Sequence, residues 1–146
     1  MNIIDIVKDL KKYITTRTNK ECKDAYLENF GKNAKDGTYR LYVPNVNPNY
    51  KEATFDEGSK VTNLSFIVYA YATQKSNKSA ITRLYELSNE IQNIFAFNEM
   101  KIYNNNVVSV RVVNSSAPAM VDNELYYIAI RIELSVSNPY TKIYEN

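Results

Sequence analysis

Cys22 is the only thiol in this sequence, and Lys20 and Lys23 stand close beside it. A cysteine becomes a nucleophile when a base or a neighbouring positive charge lowers its pKa. The chain has no histidine to act as that base, so a partly buried, inert thiol is expected, of the kind that stays unpaired in a reducing cytosol. One cysteine also excludes an internal disulfide and a CxxC site. The carboxylates are no more suggestive. Asp5 and Asp9 lie one helical turn apart, but Lys8 and Lys12 sit among them, which reads as a solvated helix face. Asp122 and Glu124 flank a loop end without EF-hand spacing. Glu52, Asp56 and Glu57 cluster beside Lys51 in a polar stretch, whereas a hydrolytic pair must be held rigidly across a cleft. Only three glycines occur, and neither GxGxxG nor GxxxxGK[ST] is present. No metal, no cofactor and no catalytic residue is expected, which leaves a binding, assembly or structural role.

Charge narrows the partners. Lys and Arg total 18 against 16 Asp and Glu, a net charge of +2. That balance is too even for strong nonspecific binding to nucleic acid or an anionic membrane. The basic set Lys8, Lys11, Lys12, Arg17 and Lys20 is the best phosphate-facing candidate, and Asp5, Asp9, Glu21 and Asp24 offset it. The longest apolar run, from Phe66 to Ala72, is seven residues, against the ~20 a membrane helix needs. The first twelve residues alternate apolar and charged side chains and do not read as a signal peptide.

The elements that would position these residues follow from periodicity. Ile3, Ile6, Val7, Leu10, Tyr13 and Ile14 make one apolar stripe, with Asn2 as N-cap, and predict a helix fading near Thr15–Thr18. Residues 20–36 read as a short helix through Cys22, Ala25, Tyr26 and Phe30, or as a loop with two aromatic anchors. Asp36-Gly37 is a turn signal before a strand at Tyr39–Val43. Residues 45–59 support no period and read as a projecting loop or arm. Residues 61–73 form a strand whose faces are Leu64, Phe66, Val68, Ala70 and Ser65, Ile67, Tyr69, Tyr71. Ser79 caps a helix running to about Phe97, with Ile81, Leu84, Leu87, Ile91, Ile94 and Phe95 inward and Arg83, Glu86 and Glu90 in water. A short strand near 100–103, a strand at 107–113, a connection at 114–123 and a long strand at 125–137 complete the order, with a polar tail at 138–146. This is an α+β pattern in a single domain: a mostly antiparallel sheet of four to five strands with two main helices packed on one face.

That architecture has a consequence. The strand at 61–73 is apolar or aromatic on both faces, and two helices cover only one. A large apolar patch left on a monomer is rare, so self-association is expected, unless the segment at 20–31 covers the second face. The candidate interface residues are Tyr69, Tyr71 and Tyr127 on that face, Val46, Tyr50 and Phe55 in the arm, Met120 and Val121 in the connection, and Ile143 and Tyr144 in the tail.

In organisation the chain resembles bacteriophage tail terminator and neck proteins. The likeness lies in the opening helix followed by Thr-Thr-Arg-Thr at 15–18, the strand pair with a long polar arm, the central helix, and two closing strands with a short tail. The resemblance implies a structural protein of the virion, made in the bacterial cytoplasm. It implies a ring, usually hexameric, that caps the tail tube, stops its growth and meets the head-completion proteins, and in contractile tails the sheath. DNA would pass through the ring only as cargo. Two other readings stay open: another head–tail joining or head-closure ring protein, and a small ligand-binding dimer of ferredoxin-like type.

Overall fold

The computed structural model describes residues 3–25, 33–42, 61–74, 78–96, 101–102, 106–122 and 124–137. Two helices, α1 (Ile3–Thr18) and α2 (Ala80–Phe95), accompany seven strands: β1 (Cys22–Asp24), β2 (Thr38–Tyr42), β3 (Val61–Thr73), β4 (Lys101–Ile102), β5 (Asn106–Ser115), β6 (Ala119–Met120) and β7 (Leu125–Ser137). The fold is α+β. The sheet runs β1-β2-β3-β7-β5-β4, with β6 also paired to β7. Every pairing is antiparallel except β1 with β2.

The axis of the sheet is the β3–β7 pair, in unbroken register from Val61↔Ser137 to Thr73↔Leu125. Strict alternation explains it: Phe66, Val68, Ala70 and Ala72 on β3 and Ile128, Ile130, Ile132 and Leu134 on β7 all turn to one face and are fully buried. Leu10 and Ile14 of α1 and Leu84, Leu87, Ile91 and Phe95 of α2 close that face. The apolar stripe of α1 is therefore as its spacing predicts at Leu10 and Ile14, with Val7 and Tyr13 partly buried. Tyr13 stacks on Phe95 at 5.3 Å and donates its hydroxyl to the Ile94 carbonyl, which joins the two helices.

The helix ends show how local chemistry sets boundaries. Thr18 bonds back to the Ile14 carbonyl at 2.7 Å, and its hydroxyl also accepts the Lys20 amide. Asn19 then takes a left-handed φ of 58° and ends α1. Ser79 caps α2 as expected, accepting the Thr82 amide at 3.1 Å. Gly37, in the expected turn, has φ 74°, which suits glycine. The proposed cap Asn2 lies outside the described residues.

Several expectations are corrected. Residues 22–24 form a strand, not part of a short helix. Among the described residues the sheet has seven strands, more than the four to five expected. The extra ones are two or three residues long, too short to carry a readable period. Ile81, placed in the buried stripe of α2, is 49% exposed. Ala80 and Ser88 face the sheet instead, which rotates the helix away from the line that hydropathy alone suggests. Arg83 and Glu90, expected in water, are half-buried and ion-paired.

Candidate protein interface

Two clusters of functional side chains flank α2, on opposite sides. Residues 81 and 83 are about 200° apart around a helix that turns about 100° per residue, so Arg83 and Glu90 share one flank and Ile81 and Tyr85 the other. The first flank faces β2. Arg83 forms a two-pronged ion pair with Asp36 and donates to the Thr73 carbonyl at 2.9 Å. Asp36 also accepts the Thr73 amide at 2.8 Å. This partnership raises the Arg83 pKa further, chiefly through the hydrogen bond to Asp36. Two turns along α2, Lys20 reaches both oxygens of Glu90 at 2.9 Å, and the Tyr39 hydroxyl donates to the same carboxylate. Burial first, then the Glu90 bond and charge, push the Tyr39 phenol upward. Together these pairs pin α1, β2, β3 and α2 to one another.

Cys22 sits in this region, directly beside Tyr39 in register. Burial pushes its thiol up to about 12, with Lys11 lowering it only in part. The thiol is protonated at neutral pH and lacks the electropositive setting of a reactive cysteine. Among the described residues no three His, Cys, Asp or Glu side chains gather into a metal-binding group. No helix there is long and apolar enough to cross a membrane.

The second flank of α2 is different. Ile81 and Tyr85, one turn apart, are 49% and 51% exposed. They lie on the side of α2 away from Arg83 and Glu90. Met120 of β6 stands opposite Tyr126, which stands opposite Ala72, so it projects on the helix-bearing face and is 57% exposed. Val113 lies at a bulge in β5, where register shifts between Val112 and Asn114, and is 39% exposed. Among the described residues these four are the exposed large hydrophobic side chains. Ile81, Tyr85 and Met120 share the helix-bearing face, whereas Val113, in the bulge opposite Arg131, lies on the other face. β4 pairs with β5 only at Asn106 and Val107, so residues 111–115 have a described strand partner on one side alone. Arg111, ion-paired to Glu133, and the exposed Arg131 border this edge.

The sequence-derived candidates divide. Met120 is exposed and Val121 half-buried. Tyr69 and Tyr127 lie on the face opposite the helices, half-buried, with rings edge-to-face at 5.9 Å. Burial raises the Tyr69 pKa, with Tyr127 and Tyr42 adding to it, so the phenol is neutral. Tyr71 is corrected: it is fully buried, with the Arg40 guanidinium 5.6 Å from its ring centre, and offers no surface to a partner. Arg40 itself is only 8% exposed. This end of the second face is therefore closed within the subunit. Val46, Tyr50, Phe55, Ile143 and Tyr144 lie outside the described residues. Ile81, Tyr85 and Val113 were not recognised from sequence as exposed. Only the wheel position of Ile81 relative to the small residues Ala80 and Ser88 carried a signal.

No family model and no curated protein matches this chain. A solved protein structure is similar over 95% of this chain and 94% of its own, with a TM-score of 0.56 and 15% sequence identity. At that identity the likeness speaks for the fold alone.

Proposed function

We propose that this chain is a structural, self-associating subunit of tail-terminator type, which forms a hexameric ring at the head-proximal end of a tail tube. The observation that carries the self-association is the exposed apolar surface of Ile81, Tyr85 and Met120 on the helix-bearing face, beside a core that is already complete. Exposed apolar side chains gathered on one side of a small domain favour a protein partner. Burying the exposed half of each is worth roughly 1 kcal/mol. Three such contributions, about 3 kcal/mol, fall short of the ~4–15 kcal/mol that association costs. A pair of subunits held by this surface alone would be weak, whereas ring closure holds every subunit through two neighbours at once. The arm at 45–59 and the tail at 138–146, with their apolar anchors, are the further contacts the sequence nominates. The tube end, the head-completion proteins and a sheath ring are the partners in this reading, and the assembled tail is its location.

The rigid β3–β7 plane suits such a part, because a cap must keep its shape while its two sides meet different neighbours. The experiment is tube growth. The protein is added to polymerising tail-tube subunits of the same particle and tube length is followed by electron microscopy. The reading predicts tubes that stop lengthening and carry one added ring at an end. Tubes that grow unchanged, with bare ends, would overturn it.

A further inference from the structure

We draw no further inference here: the strongest candidate beyond the apolar surface already described, the cleft of about 230 Å³ lined by Lys20, Gly37, Arg83, Glu86, Leu87 and Glu90 between α2 and the start of β2, carries nothing, because its charges are already paired within the chain, Lys20 with Glu90, Arg83 with Asp36 and Glu86 with Lys78.

Discussion

The two flanks of α2 are built from opposite chemistry. On the β2 side, charged groups are drawn inward and satisfied: Arg83 with Asp36, Lys20 and Tyr39 with Glu90. On the other flank, Ile81 and Tyr85 are left outward, and Met120 of β6 is exposed on the same face of the sheet. The usual expectation for a helix is the reverse, with charge outside and apolar surface inside. The difference teaches that one flank satisfies its charges within the chain while the other leaves apolar surface in solvent. Stability should reside in the first and association in the second, and substitutions should separate the two.

The largest effect is expected at the ionic flank. In Arg83→Ala, Asp36 keeps a mostly buried carboxylate without its cation, and the Thr73 carbonyl loses a donor. Breaking such a pair costs about 3 kcal/mol, readable as a lowered midpoint in urea denaturation, with the native mass of the folded fraction unchanged. A smaller loss is expected for Gly37→Ala. A methyl there meets nothing within 4 Å, so the cost is that of the left-handed backbone alone, roughly 1–2 kcal/mol. The apolar flank should behave in the other way. Tyr85→Asp and Met120→Asp, at exposed positions, should change stability by less than about 0.5 kcal/mol yet abolish association in sedimentation experiments. If both variants still assemble, the comparison fails.

A further effect is one of pH, confined to alkaline solution. The Cys22 thiol is raised from an ordinary value of 9 to about 12 by burial. The folded state therefore holds this proton more tightly than the unfolded chain. Its contribution is fully present below pH 9 and declines as pH rises toward 12, because the native state then binds more protons than the unfolded one. Alkaline denaturation of Cys22→Ala should show a pH dependence shallower by about one proton over that window. An unchanged slope would mean that burial does not hold the thiol neutral.

The long elements were legible because their periods are long. Thirteen residues in β3 and again in β7 carry a period long enough to show which side chains share a face, though their mutual register is visible only in the fold, and the Ser79 cap is a local signal that needs no tertiary context. β1 was not legible, since three residues, Cys22–Asp24, take their identity from pairing with β2. Within the candidate interface, Met120 could be nominated from an apolar residue in a polar connection. Ile81 could not, because Ala80 and Ser88, the small residues that rotate α2, carry little hydropathy. Tyr71 shows the converse: alternation places it on the second face, but only the fold reveals that Arg40 lies over its ring and that this corner is buried.

The most direct test of the central claim is the native mass of the purified protein across concentration, measured beside Tyr85→Asp. The account predicts a ring of about six copies for the parent chain, appearing alone or once tube ends are supplied, and a folded monomer for the variant under the same conditions. A concentration-independent dimer that ignores tubes, or a parent and variant of equal mass, would contradict it.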